Sequence, residues 1–155
     1  MRPLLLALCA AVAWTADAID VDAVFRVAAR KAAAHDAAHP RRDAFPTDAR
    51  GPRWKTVSYQ DWVSGFYPGM LWYITEHARR AGWPDAAAWQ TRAAAWTAPL
   101  TPLRDVTNTH DLGFMVFDSA GHGLRLTCDG KNSTQFVTTQ PIANMDTQDW
   151  LDFIL

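Results

Sequence analysis

The stretch Asn108-Thr109-His110-Asp111-Leu112-Gly113-Phe114-Met115 sets an imidazole beside a carboxylate at the head of an apolar run reaching Phe117. A His-Asp pair can hold and pass a proton, and a carboxylate can also grip sugar hydroxyls. Asn108 is a good N-cap residue, which predicts a helix with His110 and Asp111 in its first turn. The positive end of the helix dipole would favour a charged Asp111 there. A second dense stretch, Asp61-Trp62-Val63-Ser64-Gly65-Phe66-Tyr67-Pro68-Gly69-Met70-Leu71-Trp72-Tyr73, supplies aromatic faces and two glycines. Aromatic faces next to a His-Asp pair fit a pocket that stacks on a sugar ring and does acid chemistry. The plainer alternative is an amphipathic helix with a polar N-terminus.

The elements that must position these residues read as helices. Ile19 to His39 is Ala-rich, with Val21, Val24, Phe25 and Ala28 at helical spacing, and Pro40 ends it. Arg41 to Ser58 holds Pro46, Gly51 and Pro52 and reads as a loop, with a short extended piece at Trp54 to Val57. Ser64 to Arg80 is the second helix, regular from about Pro68, with Gly82 as its C-terminal stop. Pro84 to Thr97 is the third, with Trp89, Ala93 and Trp96 on one face. Ala98 to Thr107 is a connection. His110 to Ala120 is the fourth helix, stopped by Gly121 and Gly123. No sheet is expected, so the fold class is all-α.

Composition narrows the possibilities. The 155 residues suffice for one domain, and 49% are hydrophobic, ample for a core. The net charge of -1 with scattered Lys and Arg argues against nucleic acid or an anionic membrane as partner. Eight Trp serve the core and carbohydrate stacking alike. Residues 1–18 read as a signal peptide, with Arg2, an apolar run Leu4 to Trp14, and Ala16-Asp17-Ala18 as a small-x-small cleavage site. The expected location is secreted or periplasmic, with no membrane span. Cleavage would remove Cys9 and leave Cys128, which alone makes no internal disulfide.

Three motifs in order resemble glycoside hydrolase family 88, the unsaturated glucuronyl hydrolases. They are Asp61-Trp62-x-Ser64-Gly65-Phe66-x-Pro68-Gly69-x-Leu71-Trp72, then Asn108-Thr109-His110-Asp111-Leu112-Gly113-Phe114, then Gly123-Leu124-Arg125-Leu126-Thr127. The likeness runs from about Val21 to Thr127. The related unsaturated rhamnogalacturonyl hydrolases are the nearest confusion. The resemblance implies an (α/α)6 barrel, six helical hairpins closed into a ring, of which this chain would be the N-terminal part. It implies an unsaturated uronic-acid oligosaccharide, the product of a polysaccharide lyase, as substrate. In that chemistry an acid protonates C4 of the 4,5 double bond, water adds at C5, and the hemiketal collapses to release the glycan. The reaction starts at a vinyl ether, so the ordinary two-carboxylate scheme does not apply.

Carried onto this chain, the resemblance makes Asp111 the first of two essential aspartates, with His110 beside it and Trp62, Phe66 and Phe114 as aromatic walls. The second aspartate, the proton donor, has no counterpart here. Asp118, Asp129, Asp146 and Asp149 all stand in the wrong surroundings. The resemblance implies no cofactor. His35 and His39 at i, i+4 lack a third ligand, so no metal is expected. Asn132-Ser133-Thr134 fits a glycosylation acceptor, which matters only in a eukaryotic secretory pathway.

Residues 128–155 form a divergent tail without clear periodicity, and family members are more than twice as long. The expectation is therefore a truncated ring, with family 88-like residues 19–127. Its uncovered apolar edges would favour self-association. Two functions stay open: a hydrolase of unsaturated uronides, or a catalytically inactive, sugar-binding remnant of one.

Overall fold

The computed structural model describes residues 19–49 and 54–127. The signal-peptide reading, the glycosylation acceptor and the divergent tail lie outside them. The described chain is mostly helical. Helix α1 (Val21–Ala38) starts at Asp20, whose carboxylate accepts a hydrogen bond from the Ala23 backbone N–H at 3.0 Å. It ends at His39, just before Pro40, as the proline predicts.

The extended piece expected at Trp54 to Val57 is there as a strand, and a second strand in the stretch expected to be loop pairs with it in a small antiparallel hairpin. Strand β1 (Phe45–Asp48) pairs with β2 (Lys55–Val57), with a register irregularity between Pro46 and Asp48. The first strand escapes the sequence because it is short and Pro46 interrupts its alternation. What fixes the hairpin is Phe45, fully buried, its ring edge-on to Trp96 at 5.6 Å.

Helix α2 (Phe66–Arg80) is the central element. Pro68 lies in its first turn, where a missing N–H costs nothing. Gly82 follows its C-cap at φ +69, a left-handed backbone that glycine adopts without a Cβ clash. Leu71, Trp72, Ile74, Thr75 and Ala78 of α2 are fully buried. They pack chiefly against α3 (Ala86–Thr97), which presents Trp89, Ala93 and Trp96, the predicted face. Trp72 Nε1–H donates to Thr97 Oγ1 at 3.1 Å, so the largest core side chain also has its polar atom satisfied. A 3-10 segment, Ala98–Asp105, replaces the expected irregular connection and buries Leu100 and Leu103.

The last element departs most from expectation. Helix α4 (Leu112–Val116) begins after Asp111, so Asn108 is not its cap and His110 and Asp111 precede the first turn. Nor do Gly121 and Gly123 stop it. A π turn at Phe117–Gly121 leads directly into α5 (His122–Thr127). Gly121 sits where a Cβ would press the Phe117 ring at 3.3 Å, and Gly123 is buried, so both glycines serve packing rather than termination. The π turn inserts one extra residue into the helix and shifts the face that follows.

Two carboxylates of α1 fasten it at either end. Asp22 accepts from His77 Nε2 at 2.9 Å, Trp83 Nε1 at 2.8 Å and Arg26 Nε at 2.6 Å. Asp36 accepts from Trp96 Nε1 and Arg92 Nε, both at 2.8 Å. The hydrogen bond from His77, then those from Arg26 and Trp83, hold the Asp22 carboxyl down at about 2. Burial lowers His35, whose Nε2–H donates to the Ala44 carbonyl at 3.0 Å.

Both shifts favour the deprotonated form in the folded state, so the unfolded chain binds more protons and acid destabilises the fold. Stability should fall in two windows. The His35 contribution is complete above the unfolded value of 6.5 and fades as pH drops below it. The Asp22 contribution is complete above 3.8 and fades as pH falls through about 2. Thermal melts of wild type and Asp22→Asn should show a gap at neutral pH that closes only in the lower window. A gap independent of pH would show that the charge of Asp22 is irrelevant.

Candidate functional site

The turn Asp61-Trp62-Val63-Ser64-Gly65 leads into α2, and the turn Asn108 to Asp111 leads into α4. What brings these two turns together is Gly65. A Cβ there would meet the Phe114 carbonyl oxygen and lie 2.5 Å from that of Met115. Gly69, one turn on, abuts the backbone carbonyl of Asp118 in the same way. Two glycines thus let α2 and the α4–α5 rod touch backbone to backbone. The Trp62 and Asp111 motifs share one end of the fold, as a common pocket requires.

Three rings close around that contact. Trp62 and Phe66 lie edge to face at 5.7 Å, and Phe114 is 6.1 Å from each. All three remain substantially exposed, at 50%, 39% and 49%. An exposed apolar cluster of this kind marks a ligand-binding groove or a surface that another chain segment covers.

Beside them opens a cavity of about 580 Å³, large enough for a sugar unit. Its polar wall comes from Gln60, Asp61, Asn108, Thr109 and Asp111, with the Trp62 ring alongside. Leu103, Val106 and Met115 complete it. Asp111 is held by its own turn: its N–H donates to Thr109 Oγ1 at 3.1 Å, and that hydroxyl donates back to Asp111 Oδ2 at 3.3 Å. His110 Nε2 lies 3.4 Å from Asp111 Oδ1, yet the imidazole is 93% exposed and is not among the lining residues. Phe66 and Phe114 touch Trp62 but do not line this cavity, and Phe66 faces the groove along α1 instead. Gln60, Asp61, Asn108 and Thr109 line it, although sequence reasoning does not single them out as site residues. Their adjacency in sequence to Trp62 and Asp111 is the available signal.

Asp118 lies farther along the rod, where burial raises its carboxyl and nearby His122 partly offsets that. Burial in turn lowers His122, whose ring sits 4.5 Å from that of Tyr73. Neither Asp118 nor His122 lines the cavity. A separate groove of about 530 Å³ runs along α1 past Val24, Val27, Trp54, Phe66 and Met70. It is almost wholly apolar, with Lys31 and His35 in its wall and no carboxylate among its described lining residues. His35 spends Nε2 on Ala44, and among the described residues no three His, Cys, Asp or Glu gather as a metal site. Among them, too, no helix is long and apolar enough to cross a membrane.

No family model matches the chain, and no solved structure matches it. Among curated proteins, part of the chain is similar to a carbohydrate-active hydrolase. That relative is an unsaturated glucuronyl hydrolase of Formosa agariphila, 36% identical over 69 residues. The matched stretch covers 44% of this chain and 16% of the relative, so the chain spans far less than two thirds of that protein.

Proposed function

We propose that the chain is part of a glycoside hydrolase of the family 88 kind, acting on oligosaccharides that end in a 4,5-unsaturated uronic acid. Its helices would then be part of an (α/α)6 ring. The observation that carries the reading is that Trp62 and Asp111 line one cavity, with Phe66 and Phe114 packed against the Trp62 ring. The partial likeness to an unsaturated glucuronyl hydrolase supports the same reading.

In this scheme the aromatic edges and faces hold the sugar ring, and the Asp111 carboxylate accepts its hydroxyl hydrogens and fixes the ring in place. A proton goes to C4, water adds at C5, and the hemiketal opens to free the remaining glycan. Among the described residues that line the cavity, only Asp61 and Asp111 carry carboxyls, and neither is assigned as proton donor. That observation favours a second reading, a sugar-binding remnant without turnover.

Loss of the C=C ultraviolet absorbance of an unsaturated disaccharide separates the two. Consumption that stops on Asp111→Asn supports the hydrolase. Saturable binding with a flat absorbance trace supports the remnant.

The same proposal includes self-association. Val21, Val24, Val27 and Trp54 are 54%, 56%, 43% and 47% exposed along one side of α1 and the hairpin. A contiguous apolar strip of this kind is rarely left open in a soluble monomer. Sedimentation should show reversible association that weakens on Val24→Lys with Val27→Lys. A monomer at every concentration would remove this part of the proposal.

A further inference from the structure

We infer that Asp61 is a second sugar-gripping carboxylate of the cavity, and that the uronate's own carboxylate points away from it. The inference rests on the function proposed above and adds a residue and an orientation to it.

Asp61 lines the same cavity as Asp111 but comes from a different turn, so the two acids reach it from separate chain segments. Its Oδ1 accepts from the Val63 backbone N–H at 3.1 Å, which fixes the side chain in an Asx turn. No hydrogen bond to its Oδ2 is found among the described residues, so that oxygen keeps its full capacity to accept. The rest of the polar wall, Gln60, Asn108 and Thr109, is uncharged, and no Lys or Arg lines the cavity among the described residues.

A wall with two carboxylates and neutral amides and hydroxyls suits a ring rich in hydroxyl groups. Sugar hydroxyls donate to carboxylates in strong, charge-assisted hydrogen bonds. The same wall repels a third carboxylate, since like charges in a shared concavity disfavour each other. A uronate held here therefore offers its hydroxyls to Asp61 and Asp111 and keeps its own charge toward the open side.

The test uses the full chain, an unsaturated uronyl disaccharide as its free acid, and the methyl ester of that uronate. Binding is read by calorimetry. Wild type should bind the ester at least as tightly as the acid. Asp61→Asn keeps an oxygen for Val63 N–H and so keeps the turn, and its melting temperature should match wild type. It should bind the ester about tenfold more weakly, the loss of one charge-assisted hydrogen bond.

If Asp61→Asn binds the ester within about twofold of wild type while Trp62→Ala does not, Asp61 has no such role and the proposed function stands. If wild type binds the acid more than about tenfold tighter than the ester, the orientation is wrong. If wild type binds neither ligand, this inference and the proposed function fall together.

Discussion

Gly65→Ala should cost roughly 3 kcal/mol or more in folding free energy and lower the melting temperature by about 12 °C or more. The added methyl meets two backbone carbonyls, those of Phe114 and Met115, rather than the end of a flexible side chain. Backbone atoms inside a helical rod cannot step aside, so α2 and α4 must separate and their buried residues lose contact. The useful comparison is Gly82→Ala. There a Cβ meets nothing within 4 Å, and the cost is conformational alone, from φ +69. That substitution should cost about 1 kcal/mol. Paired melts of the two variants check the account. Equal losses would mean that the close approach of α2 and α4 does not contribute to stability.

Under the hydrolase reading, Asp111→Asn should reduce turnover of an unsaturated disaccharide by about 10²-fold through lost positioning of the ring, while leaving the fold intact. Asparagine matches the shape of aspartate and can still accept from Thr109 Oγ1. It loses the negative charge and turns one acceptor oxygen into a donor. A sugar hydroxyl that donates to Asp111 Oδ1 or Oδ2 in the wild type would then face an N–H group. Binding and positioning both suffer, and misplacement of the reacting ring costs rate beyond affinity. Initial rates with melting temperatures on the same samples check this. An Asn variant with unchanged rate would place the chemistry elsewhere.

The helices are legible in the sequence where burial and punctuation agree. Pro40, Pro68 and Gly82 mark the ends of α1 and α2, and the Trp89, Ala93, Trp96 spacing gives the face of α3. The extended piece at Trp54 to Val57 is legible, but its pairing with Phe45–Asp48 is not, because the fixing contact is the distant pair Phe45 and Trp96. The caps mislead for a related reason. Asn108 has the right side chain for a cap, but Thr109 and Asp111 engage each other and move the helix start to Leu112. Gly121 and Gly123 look like terminators in isolation, yet a third dimension makes them packing residues against Phe117 and the core.

The site is legible as two motifs, and the distance between them is not. Nearly fifty residues of chain separate Trp62 from Asp111, and the glycine contacts under Phe114 and Asp118 explain why they meet. Asp61, Asn108 and Thr109 stand in the motifs, yet they and Gln60 are not singled out as site residues because polar turn residues are ordinary in sequence. Their role as cavity wall depends on two turns facing each other.

The most direct measurement of the central claim is equilibrium binding of an unsaturated uronyl disaccharide to the full chain, followed by tryptophan emission and by calorimetry. The account predicts saturable binding that weakens about tenfold or more in Trp62→Ala, whose half-exposed ring can be removed with little change in melting temperature. A wild-type chain that shows no saturation, or a Trp62→Ala variant that binds as well as wild type, would contradict it.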